Sequence, residues 1–89
     1  METRSITLYR RSKCELCAEA LEALRQIAAA SPLPLNINEV DIEEDPALHR
    51  RLFTEIPAIQ YGGQILSHAT TRVRIATFIA RVDDAGQHV

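Results

Sequence analysis

The sequence predicts an α/β fold: a mixed four-stranded sheet with three helices, ordered strand, helix, strand, helix, strand, strand, helix (βαβαββα). Three observations carry this prediction. Apolar residues recur with a period of two in some stretches and of about 3.6 in others. Prolines and glycines fall between those stretches, not inside them. The long first connection suits parallel strands, while a Gly-Gly pair late in the chain suits a hairpin. With 89 residues, no internal repeat and no linker, the chain reads as one domain spanning 1–89.

Residues 5–10, Ser-Ile-Thr-Leu-Tyr-Arg, alternate Ile6 and Leu8 with polar neighbours and form the first predicted strand. Ser12 and Lys13 break the pattern and open a helix. In it Leu16, Ala20, Leu21, Leu24, Ile27 and Ala28 follow helical spacing, with Glu19, Glu22 and Arg25 on the other side. Ser31-Pro32-Leu33-Pro34 cannot continue a helix, so it should end near Ala30. Leu35 to Asp41 reads as the second strand. Leu35 and Ile37 share one parity and Val40 and Ile42 the other, which predicts a bulge or twist near Asn38-Glu39. Asp45-Pro46 supplies an N-cap and a first-turn proline for a short helix whose apolar stripe is Leu48 and Leu52. A third strand follows Pro57, Gly62-Gly63 turns the chain, and Gln64 to Ser67 pairs back antiparallel. The last helix starts about Thr70 or Thr71 and buries Ile75, Phe78, Ile79 and Val82, leaving 83–89 as a flexible tail.

Composition removes several functional classes. An apolar share of 46% with 25% charged residues is that of a folded globular chain. A net charge of −2 argues against general nucleic-acid binding, and no apolar run approaches a membrane span. Met1-Glu2-Thr3-Arg4-Ser5 leads into too few apolar residues for a signal peptide, so the expected location is the cytoplasm. Charge is segregated along the chain. Arg4, Arg10, Arg11 and Lys13 precede the cysteines, whereas Glu39, Asp41, Glu43, Glu44 and Asp45 form a run without a cation. The simplest account is two solvated faces; the sharper one is a positive field beside Cys14.

Cys14-Glu15-Leu16-Cys17 holds the only two cysteines. Random placement would give that spacing roughly 2 times in 100, and in the cytoplasm a lone CxxC is usually redox or metal chemistry. At a helix start, positions i and i+3 share a face, so the two sulfurs can close a disulfide with little backbone movement. Free N–H groups of the first turn and the helix dipole favour an anion at Cys14, helped by Lys13, Arg10 and Arg11 and opposed by Glu15. Cys17, one turn further in, has less access to those groups. This asymmetry makes Cys14 the attacking thiolate and Cys17 the resolving thiol. Pro57 is the second anchor. It is either an ordinary trans strand-entry proline or a cis bond that leaves the Ile56 backbone to a substrate strand.

Taken together, the first strand ending at Cys14-Glu15-Leu16-Cys17, then Ile56-Pro57-Ala58-Ile59 and a short hairpin, resembles the thioredoxin fold, most nearly its small glutaredoxin-like proteins. The resemblance runs from about Ser5 to Val82. It implies that Cys14 is the nucleophile, Cys17 the resolving thiol, Pro57 a cis-proline facing them, and Ile56 a backbone partner for substrate. Three features depart from the pattern. Glutaredoxins usually carry Cys-Pro-Tyr-Cys, where this chain has Glu15-Leu16 in the middle. Their glutathione-binding Gly-Gly pair and Asp before the last helix are replaced by Ser67-His68-Ala69-Thr70-Thr71. The Trp that precedes the first cysteine in thioredoxins is missing. Glutathione therefore enters only as one candidate reductant, with Lys13, Arg72 and Arg74 as the cations able to meet its carboxylates.

The resulting expectation is a thiol–disulfide oxidoreductase with Cys14 and Cys17 catalytic, and with Lys13, Ile56 and Pro57 binding substrate. It would be a monomer with no resident cofactor or metal. Its partners would be a protein disulfide or a small thiol, and a reductant, either glutathione or a thioredoxin-reductase-like enzyme. Two other classes compete. One is a dimer bridging zinc or an iron–sulfur cluster through two CxxC pairs, although His49, His68 and His88 stand at no recognised metal spacing and read as surface residues. The other is a thioredoxin-fold binding module with incidental cysteines. Phosphate-loop, catalytic-serine and paired-carboxylate chemistries find no motif.

Overall fold

A computed structural model describes residues 4–87. Met1 to Thr3, and His88 and Val89 of the predicted tail, lie outside the described residues. The elements are β1 (Arg4–Arg10), α1 (Glu15–Ala30), β2 (Leu35–Asp41), a 3-10 turn (Ile42–Glu44), α2 (Pro46–Leu52), β3 (Ala58–Tyr61), β4 (Gln64–Leu66) and α3 (Arg72–Gln87). The sheet order is β2-β1-β3-β4. β1 and β2 are parallel, and β1 with β3 and β3 with β4 are antiparallel, giving the mixed sheet that the connections require.

One face of the sheet carries the core. Ile6 and Leu8 of β1 and Ile59 and Tyr61 of β3 meet Ala20 and Leu24 of α1 and Ile75, Phe78 and Ile79 of α3. Removing a fully buried side chain such as Leu24 or Ile59 from this cluster would cost about 2–5 kcal/mol, since lost transfer energy and a cavity add. The other face is more polar; there the Tyr9 hydroxyl donates to Gln60 Oε1 at 2.6 Å.

Three details differ from the sequence-based expectations. The β1–β2 register is continuous from Arg4↔Leu35 to Arg10↔Asp41, so there is no bulge at Asn38-Glu39. Val40 simply lies on the face opposite Ile37. After Asp41 the chain turns: its Oδ1 accepts the Glu43 N–H at 2.9 Å, and the 3-10 turn returns Ile42 to full burial. Leu16 is half exposed, and Cys17 takes the fully buried position in the first turn of α1. Asp83 to Gln87, expected in the tail, form the end of α3.

Asp83 anchors this end of α3. Its Oδ2 sits 2.6 Å from Arg4 Nη1 and its Oδ1 accepts the Tyr61 hydroxyl at 2.5 Å. Arg4 Nη2 also donates to Ser31 Oγ, at the C-cap of α1. One guanidinium thus ties the start of β1 to the ends of two helices. Burial raises the Tyr61 pKa above 10.0, reinforced by its hydrogen bond to Asp83 and opposed by Arg4.

The turn between β3 and β4 takes positive φ at both Gly62 (58°) and Gly63 (78°), as a tight two-residue hairpin demands. A Cβ at Gly62 would lie 2.5 Å from Val82 Cγ1, whereas one at Gly63 would meet nothing within 4 Å. Urea unfolding should therefore show Gly62→Ala losing about 2–4 kcal/mol and Gly63→Ala about 1 kcal/mol. Equal losses would mean that the helix does not confine the turn. The raised Tyr61 pKa contributes stability that is complete below pH 10.0, its unfolded value, and is lost as pH rises toward the folded value. Tyr61→Phe should remove that part of the alkaline decline in a pH series of unfolding midpoints.

Candidate active site

β1 ends at Arg10, and the chain reaches α1 through a short loop. Lys13 takes a left-handed conformation, φ 56°, and Cys14 returns to extended geometry, φ −114° and ψ 106°, as the N-cap of α1. The Cys14 sulfur accepts the Cys17 N–H at 3.1 Å, and its carbonyl accepts the Ala18 N–H at 3.1 Å. A sulfur therefore does what Ser or Asp usually does at a helix start: it satisfies an orphan first-turn donor. The two cysteines are joined as a disulfide with a Cα–Cα distance of 5.2 Å, inside the ordinary range. Cys14 is half-buried and Cys17 fully buried, so the Cys17 sulfur is closed to solvent.

The surrounding charge is more local than the sequence suggests. Arg10 turns to Glu39, with Nε 3.6 Å from Oε1. Arg11 and Lys13 are exposed and make no hydrogen bond or ion pair among the described residues. They are the cations left free beside Cys14, with Glu15 exposed in the first turn of α1. Part of the acidic run serves as caps. Asp41 opens the 3-10 turn and accepts from Ser12 Oγ at 3.4 Å. Asp45 caps α2 by accepting the Ala47 and Leu48 N–H groups at 2.9 and 3.4 Å.

The second loop reaches the same end of the sheet. Because β3 runs antiparallel to β1 with Tyr9 opposite Ala58, Pro57 comes just before the position where β1 leaves the sheet for Cys14. The Ile56–Pro57 bond is cis and Pro57 is buried. The Glu55 and Ile56 N–H groups donate to the Leu52 carbonyl at 2.8 and 3.1 Å. On the other side, His68 N–H donates to Glu55 O at 2.9 Å and Ala69 N–H to Pro57 O at 2.7 Å. The Ile56 N–H is thus occupied, and its carbonyl is the backbone group without a partner among the described residues. The expectation that Ile56 offers its backbone narrows to that one acceptor.

Other candidates are placed as follows. Arg72 donates to Gln26 Oε1 at 3.1 Å and Arg74 to the Ser67 carbonyl at 3.1 Å, so both are engaged within the chain. His49 stacks on Phe53 with ring centroids 5.6 Å apart, and His68 Nε2 lies 3.3 Å from Glu55 Oε2. Among the described residues, no group of three or more His, Cys, Asp or Glu side chains is gathered as a metal site, and no helix is long and apolar enough to cross a membrane. A cavity of about 450 Å³, lined by Arg4, Ile27, Leu33, Ala76 and Ile79 among others, opens at the Arg4 end of β1, away from the cysteines. Sequence reasoning missed Glu55 and His68, which brace the Pro57 loop. The usable signal was the Ser67-His68-Ala69-Thr70-Thr71 stretch, which departs from the family pattern and contains His68. It also missed the exposure of Leu16 and Phe53, 50% and 57%, near the two loops.

Comparison with known proteins agrees with this arrangement. The family model described as Glutaredoxin-like domain (DUF836) matches residues 5–80. Among solved structures, target protein XcR50 from X. campestris is 30% identical, with a TM-score of 0.71 over 85% of this chain and 96% of that one. A mutant of the thioredoxin-like protein BC3987 is 18% identical, with a TM-score of 0.63 over 83% and 97%. Thioredoxin 1 from the thermophilic eubacterium Thermosipho africanus is 15% identical, with a TM-score of 0.62 over 93% and 98%. A search of curated protein sequences finds no significant match. With a thioredoxin-like fold, a cysteine pair at the head of its first helix and a family match over residues 5–80, the chain belongs to the glutaredoxin-like domain family.

Proposed function

We propose that this protein is a thiol–disulfide oxidoreductase that reduces disulfides through Cys14 and Cys17. The observation that carries the reading is the Cys14 sulfur at the N-cap of α1, accepting the Cys17 N–H with Cys17 itself buried behind it. In the reduced protein the same N–H and the helix dipole favour the thiolate at Cys14. Lys13 and Arg11 add positive charge from the loop.

The chemistry is two thiol–disulfide exchanges. The Cys14 thiolate attacks one sulfur of the substrate disulfide; a Cys14–substrate bond forms, and the other substrate sulfur leaves as a thiolate and takes a proton. Cys17, deprotonated, then attacks the Cys14 sulfur and releases the second substrate thiolate. The Cys14–Cys17 disulfide that remains has given two electrons to the substrate. A dithiol reductant, or two equivalents of a monothiol, reopens it. The substrate segment lies extended across the Pro57 loop and donates a backbone N–H to the Ile56 carbonyl, while Lys13 takes an acidic group at the rim. The protein works as a monomer in the cytoplasm, where a reducing pool closes the cycle.

Reduced protein treated with limiting iodoacetamide at neutral pH should be alkylated at Cys14 at least about 10-fold faster than at Cys17, as read by mass spectrometry. Equal, slow rates would end the nucleophile assignment. Cys17→Ser should accumulate mixed disulfides on Cys14; adducts found instead on Cys17 in Cys14→Ser, with none on Cys14, would reverse the roles. Turnover should be assayed separately with glutathione and with a thioredoxin-reductase system. Turnover with neither, nor with dithiothreitol, would leave a binding module.

A further inference from the structure

We infer that His68 and Glu55 form a positioning pair that holds the Ile56 carbonyl ready for an incoming substrate strand, an inference that rests on the redox reading above. His68 has φ 54°. Glycine enters that region freely, whereas other residues, histidine among the more tolerant, do so at a cost, and such positions cluster at functional sites. Lys13, at the entrance to Cys14, is the other non-glycine residue with positive φ among those described. Lys13 thus stands in the cysteine loop, and His68 in the β4–α3 connection that hydrogen-bonds to the Pro57 loop.

The use of the His68 side chain is visible in its contacts. Imidazole Nε2 lies 3.3 Å from Glu55 Oε2, and the same two residues are joined by the His68 N–H to Glu55 carbonyl bond at 2.9 Å. The next residue, Ala69, is fully buried and donates to the Pro57 carbonyl at 2.7 Å. The 68–69 turn thus grips the carbonyls on either side of Ile56, while the Leu52 carbonyl holds the Glu55 and Ile56 N–H groups from the α2 side. Between those fixed points the Ile56 carbonyl alone has no partner among the described residues. His68 is 61% exposed and Glu55 39%, so the pair adds little to global stability. Its effect is local: a carbonyl already fixed in place need not be ordered when substrate binds.

The test is single-turnover oxidation of pre-reduced protein by a synthetic peptide with one intrachain disulfide, followed against peptide concentration. Glu55→Ala, which leaves the His68 backbone alone, should raise the half-saturating concentration about 3- to 10-fold and leave the limiting rate within about twofold. His68→Gly should do the same. His68→Asn, which tolerates positive φ and retains a side-chain donor, should recover most of the loss. The double variant His68→Gly/Glu55→Ala should be no worse than the poorer single. Iodoacetamide should alkylate Cys14 at an unchanged rate in all of them. Unchanged half-saturation in Glu55→Ala, additive losses, or losses that fall on the alkylation rate would overturn the pairing. If wild-type protein is not oxidised by the peptide, the redox reading fails, and amide exchange at Ala69 and Ile56 then decides the brace. Exchange about fivefold or more faster in Glu55→Ala supports it; unchanged exchange overturns it.

Discussion

The contact on which the rest converges is a backbone amide aimed at a sulfur. The Cys17 N–H reaches Cys14 because Lys13 turns left-handed, Cys14 stays extended, and Glu15 is the first helical residue. A helix must satisfy its first donors with something, and here the group that does so is also the less buried member of a redox pair. The fold and the chemistry consequently share one hydrogen bond. Moving the helix start by a residue would lose the cap and carry Cys17 off its buried position.

The sheet brings the second half of the site to this point. β1 runs up to the cysteine loop, and β3 begins beside the same end, so the cysteine loop and the Pro57 loop meet without any long excursion. β2, parallel to β1, ends there too, which is why the capping aspartates and the Ser12 loop are neighbours. Sites outside the carboxyl ends of parallel strands are common in α/β sheets, because the chain leaves the sheet there and its loops are free to vary.

The opposite end of β1 is held differently. Arg4 joins Asp83, Ser31 and the Tyr61 hydroxyl, tying the start of β1 to the C-cap of α1 and to the last turns of α3. Electrostatics at that end serve architecture. At the cysteine end two cations, Arg11 and Lys13, are left without partners among the described residues. The charge segregation along the sequence therefore splits into a structural part, Arg10 with Glu39 and the two capping aspartates, and a small remainder beside Cys14.

Wherever local rules decide, the sequence alone was enough. Helical spacing bounded by Pro32 predicts α1 to its observed end at Ala30, Asp45-Pro46 predicts the start of α2, and Gly62-Gly63 the hairpin. These depend on side-chain period, missing N–H groups and positive φ, all of which act within a few residues. The family pattern was legible because its two motifs are short. The tertiary structure decided what depends on partners distant in sequence. Asp83 is anchored because Arg4 and Tyr61 bind it from residues 79 and 22 positions away. The Ile56 N–H is occupied because α2 ends at Leu52 close enough to accept it. Glu55 and His68, a surface acid and a surface histidine when read alone, become one brace only after the β3–β4 hairpin folds them together. Short-range stereochemistry is written in the order of residues; which exposed polar groups outside the strands meet depends on how the connecting segments pack once the sheet has formed, and no local pattern encodes that.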